Sequence, residues 1–295
     1  MRIQIENLSM VYSNQKKALS NINLEIGNGM FGLLGPNGAG KSSLMRILVT
    51  LMKPTEGKVN VNGFDLMKNR GEIRKMLGYL PQDFRFFSKL KTWEFLDYAA
   101  GLSGVTNKKI RSAKVDEWLE KVGLFDARDR QANKLSGGMK RRLGIAQALI
   151  GDPEIIIVDE PTTGLDPEER IRFRNILSEL SQKDVIIILS THIVGDISSV
   201  CNNFALLNNG TICFNGAPAE LVNIARGHVW QVNTSGVEYD LIKSKYSVIS
   251  TIPSDEGWEI QFVGDKVDID HVMEIEPNLE HAYVYFMESL GNEDV

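Results

Sequence analysis

Residues 30–43 read MFGLLGPNGAGKSS, and within them Gly35, Gly40, Lys41 and Ser42 match the spacing G-x-x-x-x-G-K-[ST] without a departure. Glycines at such positions let the main chain bend until several N–H groups converge on one hollow. A helix starting behind them adds partial positive charge at the same place. A hollow of that kind takes phosphate. Its lysine reaches the outer phosphate groups, and its serine hydroxyl suits Mg²⁺. The plain alternative is a glycine-rich turn that binds nothing. The apolar run before it (Phe31, Leu33, Leu34) and the helix-compatible residues 44–52 after it supply the strand–turn–helix context that the motif requires.

Other candidates stand at the ends of apolar runs. Residues 155–158, IIIV, lead into Asp159-Glu160, and residues 185–189, VIIIL, lead into Ser190-Thr191-His192. A carboxylate at the C-terminal end of a parallel strand lies beside the phosphate loop in folds of this type. Asp159 suits Mg²⁺, held directly or through water. Glu160 is placed to polarise a water attacking a terminal phosphate. A solvent-facing carboxylate pair is the bland alternative. His192 can hydrogen-bond a terminal phosphate and register its loss, or it can be a structural strand-end histidine. Gln82 can be any loop glutamine. Tyr12, in the loop VYSNQKK, is either an aromatic packed on a sheet or a platform on which adenine stacks.

The elements that must position these residues follow from periodicity. Residues 2–8 and 19–26 alternate like half-buried strands. Residues 57–61 form a short strand before the turn Asn62-Gly63, and 76–80 another strand that ends at Pro81-Gln82. From Asp83 the character turns helical. Trp93, Leu96 and Ala100 share a face, as do Val115, Trp118, Leu119 and Val122. Residues 84–150 therefore read as a helical insertion between strands. Its last helix opens at LSGGM, with Ser136 as cap and Met139, Leu143, Ala146 and Ile150 as its apolar stripe. Lys140, Arg141 and Arg142 read as a solvated basic face.

Asp166-Pro167-Glu168-Glu169 opens a further helix, with proline in the first helical position and a glutamate three residues after the cap. Phe173, Ile176, Leu177 and Leu180 make its buried stripe. Two short strands, 203–208 and 211–214, are joined by Asn-Asn-Gly. Apolar strands alternating with helices predict a mostly parallel α/β sheet covered on both faces. Beyond Leu221 the pattern stops. Residues 227–295 carry strands at 228–232 and 258–262 and a helix at 279–290, which predicts a small α+β domain.

Bulk composition bounds the possibilities. The 295 residues, 43% hydrophobic and 24% charged, suffice for one large domain or two unequal ones. No apolar run approaches the ~20 residues that span a bilayer. The opening MRIQIENLSM has no signal-peptide core, so a cytoplasmic chain is expected, with any membrane role exercised through a partner. Cys201 and Cys213 match no metal or disulfide spacing, as suits a reducing compartment. A net charge of −5 argues against general affinity for nucleic acid. From Thr234 onward there are 14 acidic and 3 basic side chains, a net of −11 that leaves +6 for the rest. This shift predicts a separate acidic C-terminal unit, or simply a solvated acidic face.

Taken together and in order, GPNGAGKSS, Gln82, LSGGM, IIIVDE, GLD and His192 closely resemble the ATPase subunit of ATP-binding cassette (ABC) transporters. The resemblance covers residues 1–222 and implies a P-loop NTPase fold with a mostly parallel sheet, an N-terminal antiparallel β subdomain and a helical insertion. The phosphate loop matches Walker A, which implies ATP contacts from Gly35, Asn37, Gly38, Gly40, Lys41, Ser42 and Ser43. Asp159-Glu160 matches the end of Walker B, with Mg²⁺ shared among Ser42, Asp159 and Gln82. The same likeness makes Gln82 the loop that couples to membrane subunits, His192 the switch histidine and Tyr12 the aromatic adenine contact. Ser136, Gly137 and Gly138 match the signature loop, which in the family closes on ATP bound to the opposite subunit. Asp166 matches the loop at that dimer seam. Two chains, identical or different, would thus enclose two nucleotides.

Met139 stands where many members have glutamine, and DRQANK before the signature differs from many fused drug exporters. The stretches STHIVGDIS, NNGTICFNGAPAEL and EPNLEHAYVYFMESL are similar to single-domain exporter ATPases with a C-terminal extension, which pair with separate six-helix membrane subunits. The implied function is an exporter ATPase, peripheral on the inner face of the cell membrane. Closure would move the Gln82 loop and residues 84–96 against the membrane partner. An importer ATPase shares the same chemistry. A non-transport ABC ATPase is opposed by the single cassette and the lack of sustained heptads. A non-hydrolysing regulatory subunit is opposed by the presence of both Glu160 and His192.

Overall fold

The computed structural model describes residues 1–84, 89–163, 165–254, 257–265, 267–269 and 271–293. The chain divides into two compact units, Met1–His192 with Phe204–Asn215, and Ile193–Asn203 with Gly216–Val295. In the first unit the elements run β1 (Arg2–Val11), β2 (Lys17–Gly27), β3 (Gly29–Leu34), α1 (Lys41–Leu48), β4 (Glu56–Val61), β5 (Phe64–Asp65), α2 (Arg70–Met76) and β6 (Leu77–Leu80). They continue with α3 (Thr92–Leu102), α4 (Lys108–Lys121), α5 (Gly137–Leu149), β7 (Ile155–Asp159), α6 (Pro167–Ser181) and β8 (Ile186–Thr191). The second unit begins with α7 (Val194–Val200), after which β9 (Asn203–Asn208) and β10 (Thr211–Gly216) return to the first.

Two sheets build the first unit. An antiparallel sheet in the order β2-β1-β4-β5 uses alternation: Ile3 and Ile5 are buried while Arg2 and Glu6 face out. The second sheet runs β10-β9-β3-β8-β7-β6, and β3–β8, β8–β7 and β7–β6 all pair in parallel. Every residue of β7 (IIIVD) and β8 (IIILST) is buried. Covered on both faces, these strands read as continuous apolar runs rather than alternating ones.

Register is what serves the site. Leu34 pairs with Thr191 and Asp159 pairs with Ser190. The C-terminal ends of β3, β8 and β7 therefore stop at one level. Gly35, Glu160 and His192, each the next residue on its strand, leave the sheet at a common edge.

Local boundaries depart from expectation in physical ways. The helix expected over 44–52 is α1, three residues earlier at its start, so Lys41 and Ser42 lie in its first turn. It ends before Thr50, whose φ of 62° no helix continues. Met76 closes the unforeseen helix α2 rather than opening β6. On α6 only Phe173 and Leu177 are buried, while Ile176 and Leu180 are half-buried.

The second unit, beyond α7, contains α8 (Pro218–Ile224), β11 (Val229–Thr234), α9 (Val237–Lys245), β12 (Ser247–Ser254), β13 (Gly257–Val263), β14 (Met273–Glu274) and α10 (Leu279–Glu293). Its antiparallel sheet has the order β12-β13-β11-β14. Val232, Ile242, Ile260 and Phe262 form its core, and α10 packs on α8 and α7. The strand β12 and the helix α9 were not foreseen, because Ser and Thr interrupt the one and Lys the other.

Ile157 is fully buried in β7, between β6 and β8. Truncating Ile157→Ala should lower unfolding stability by about 2–5 kcal/mol. Urea unfolding followed by circular dichroism reads this directly, and an unchanged midpoint would exclude β7 from the core.

Candidate functional site

The phosphate loop takes its shape from two close approaches. Gly40 has φ 111°, and a Cβ there would lie 2.4 Å from the Ala18 carbonyl oxygen. A Cβ on Gly35 would lie 2.1 Å from the Leu207 carbonyl oxygen. Only glycine fits such contacts, and the chain is thereby turned straight into α1. Asn37 and Gly38 are exposed at the loop's crest, and Ser42 is half-buried. Lys41 folds back under the loop. Its Nζ donates to Gly35 O (2.7 Å) and Pro36 O (3.1 Å), and the side chain is 5% exposed. Ser43 Oγ and Tyr12 OH share a hydrogen bond of 2.9 Å, which fixes the tyrosine ring beside the start of α1.

Opposite the loop sit the two carboxylates. Asp159 is buried, and its Oδ1 accepts a hydrogen bond from Ser190 Oγ. Glu160 has φ 46°, in the left-handed region, a conformation that costs a non-glycine residue about 1–3 kcal/mol. Its N–H donates to Ser190 O at 3.1 Å, which helps hold it there. The Glu160 carboxylate is a hub. Oε1 lies 3.7 Å from Lys41 Nζ, and Oε2 accepts from Thr163 Oγ1 at 3.1 Å and meets His192 Nδ1 at 3.0 Å. An ionised carboxylate only accepts, so Nδ1 carries the hydrogen in that contact. Glu160 is 7% exposed and His192 37%. Burial lowers the pKa of Lys41, while Glu160 and Asp159 push it back up.

Arg141 is the residue that sequence reasoning misplaced. It is no part of a solvated basic face. Its guanidinium donates to the main-chain oxygens of Pro81, Gln82, Asp159, Glu160 and Pro161 at 3.0–3.1 Å. Burial lowers its pKa to about 10, with Asp159 and Glu160 acting against that shift. Arg142 is likewise enclosed, paired with Glu169 at 3.1 Å and donating to the Val122 and Gly123 carbonyls. The reason is that α5 is covered on more than one face, with Leu143, Gly144, Ile145, Ala146, Ala148 and Leu149 all buried. The signal was present in the spacing: Arg141, Ile145 and Ala148 share a helical face.

The remaining candidates stand apart from this cluster. The Gln82 side chain is exposed, while its carbonyl is held by Arg141. Ser136 caps α5 by accepting from Met139 N (3.3 Å), which leaves Gly137 and Gly138 in the first turn. Asp166 caps α6 by accepting from Glu169 N (2.9 Å). Both caps are bonded within their own helices. Gly164 of the GLD motif lies outside the described residues, as do residues 85–88 of the segment expected to meet a partner.

The donors suit a hard divalent cation. Ser42 offers a hydroxyl and Asp159 a carboxylate, both oxygen ligands. Among the described residues no group of three or more His, Cys, Asp or Glu could hold a metal by itself. A cation that completes its shell with phosphate oxygens and water fits this sparse set.

Comparison with known proteins places this geometry in context. A family profile described as ABC transporter matches residues 19–163. An uncharacterized ABC transporter ATP-binding protein of Bacillus subtilis is 37% identical over 220 residues, covering 74% of this chain and 72% of the relative. A probable multidrug ABC transporter ATP-binding protein of Escherichia coli is 39% identical over 196 residues, covering 66% of this chain and 34% of the relative. Among solved structures, a dimeric ATP-binding cassette in a post-hydrolysis state with ADP and Pi superposes with a TM-score of 0.68 at 25% identity, covering 73% of this chain and 98% of that one.

The Gly40→Ala variant should be less stable by about 1–3 kcal/mol. Because Ala18 and Leu19 must move, it should also bind nucleotide roughly tenfold or more weakly. Equilibrium titration with a fluorescent ATP analogue measures the second effect, and wild-type affinity in that variant would separate the loop geometry from binding.

Proposed function

We propose an exporter role for this chain, which belongs to the ABC transporter ATP-binding proteins. As a member it is an ABC ATPase, a transporter's ATP-binding subunit. In the reading offered here, two copies or two related chains bind two ATP and close on each other. That closure drives a separate multi-helix membrane subunit. Among the described residues no helix is long and apolar enough to cross a membrane, so attachment to the inner face would come through the partner. The export direction draws on the likeness to the E. coli relative named for multidrug transport and on the C-terminal stretches similar to exporter ATPases. Residues 1–222 would form the nucleotide domain, with its helical part over 84–150, and residues 227–295 an acidic accessory domain.

The observation that carries the chemical part is the Glu160 carboxylate, held between Lys41 and His192. Lys41 exchanges its bonds to Gly35 O and Pro36 O for the outer phosphates and neutralises charge that builds there. Gly35, Asn37, Gly38, Gly40, Ser42 and Ser43 frame the phosphates with main-chain N–H groups and hydroxyls, and Tyr12 carries the adenine. Mg²⁺ would be held by Ser42 and Asp159, with Gln82 joining them as the family resemblance implies, and would supply Lewis-acid polarisation of the phosphate oxygens. The Glu160 carboxylate orients the attacking water, and His192 bridges that carboxylate to the terminal phosphate. Loss of the γ-phosphate breaks the His192 contact and lets the pair reopen. Ser136 and Asp166, which cap their own helices, and Gly137 and Gly138 serve the nucleotide of the opposite chain.

Glu160→Gln keeps the shape and removes the base. Turnover should fall about 100-fold or more while ATP still binds, and ATP should then hold a stable dimer on size-exclusion chromatography. Brisk hydrolysis by the variant would remove Glu160 from its role.

A further inference from the structure

Arg141 lies five residues after Ser136 on α5. A guanidinium has five N–H donors in a rigid plane. Here Nη1 donates to Pro81 O (3.0 Å) and Gln82 O (3.1 Å), Nη2 to Asp159 O (3.1 Å) and Glu160 O (3.0 Å), and Nε to Pro161 O (3.0 Å). Donors and acceptors balance, so no N–H remains for a carboxylate or for solvent. Every acceptor is main chain, and the acceptors come from two loops that the sequence separates widely.

Two consequences follow from that geometry. Peptide planes on both sides of Glu160 are fixed by one cation, and Glu160 is the residue with φ 46°. The same plane holds the Gln82 loop. Gln82, Glu160 and the second turn of α5 are thereby tied together through Arg141. Its neighbour Arg142 provides the contrast: among the described residues its ion pair and hydrogen bonds go to Glu169 and to the Val122 and Gly123 carbonyls.

We propose that Arg141 is a positioning residue for hydrolysis: it sets the Glu160 carboxylate in its attacking geometry and carries displacement of the Gln82 loop and of the Ser136 helix start to it. The proposal rests on the ATPase reading above. Lysine at this position keeps the charge but has three donors on a flexible stem, so it cannot hold five carbonyls in one plane. Binding of ATP depends on the phosphate loop and stays; the rate of the chemical step falls.

The experiment compares wild type, Arg141→Lys and Arg142→Lys in steady-state ATPase assays, ATP titrations and thermal unfolding. Arg141→Lys should lose at least tenfold in kcat with its ATP Kd within threefold of wild type. Arg142→Lys should keep kcat within threefold even where its Tm falls as far. A kcat within threefold of wild type in Arg141→Lys overturns the proposal, and so does an equal kcat loss in both variants. Wild type without ATP turnover would take the ATPase reading down and this inference with it. Turnover in wild type with an insensitive Arg141→Lys strikes the inference alone. Should Arg141→Lys fail to fold, amide hydrogen exchange of the wild-type chain decides. Protection at residues 82–84 and 160–163 must change together on adding ATP, and a change in one segment alone contradicts that tie.

Discussion

Lys41 Nζ and Glu160 Oε1 approach to 3.7 Å with the two side chains only 5% and 7% exposed. Taking two such charges out of water costs several kcal/mol per ion, and a buried pair seldom returns all of it as stability. The lowered pKa of Lys41 records that cost, since burial outweighs the attraction of both carboxylates. The pair therefore reads as a device for chemistry rather than for folding. A desolvated lysine next to a desolvated carboxylate is a site prepared for a highly charged ligand, in surroundings where electrostatic interactions are strong.

What holds the pair in place is the register of three parallel strands. Because Leu34 sits beside Thr191 and Asp159 beside Ser190, the residues that follow emerge at one edge of the sheet. Ser190 then works at close range, with its hydroxyl on Asp159 and its carbonyl on the Glu160 N–H. Glu160 is kept in a left-handed conformation that the chain would otherwise avoid. Strain of this sort persists only where neighbours over-determine it, and Ser190 and Arg141 are those neighbours.

Much of this was legible in the residues. Gly35, Gly40, Lys41 and Ser42 announced the loop because their spacing has a mechanical meaning. The continuous apolar runs before Asp159 and His192 announced buried parallel strands for the same reason. Asp166-Pro167 announced a helix start, because capping is a local matter decided by a few residues. The burial of Arg141 was legible in its spacing with Ile145 and Ala148, but its partners were not, because all five are main-chain oxygens, and main-chain oxygens leave no mark on a sequence. Nor was the left-handed Glu160, since nothing in the letters of Asp159-Glu160-Pro161 reveals φ. In the second unit, α9 and β12 escaped because their apolar positions are interrupted by lysine and serine, and tertiary packing rather than pattern makes them.

The phosphate loop and the signature residues stand in contrast within one chain. Lys41, Asp159, Glu160 and His192 are gathered, whereas Ser136 and Asp166 use their side chains to cap their own helices. In our account each chain holds half of two active sites, and only a pair of chains completes either. The most direct test is the ATPase rate per chain measured across a wide range of protein concentration. The account predicts a rate per chain that rises with concentration and then saturates as pairs form. A rate per chain that stays constant down to concentrations at which light scattering finds only monomer would contradict it.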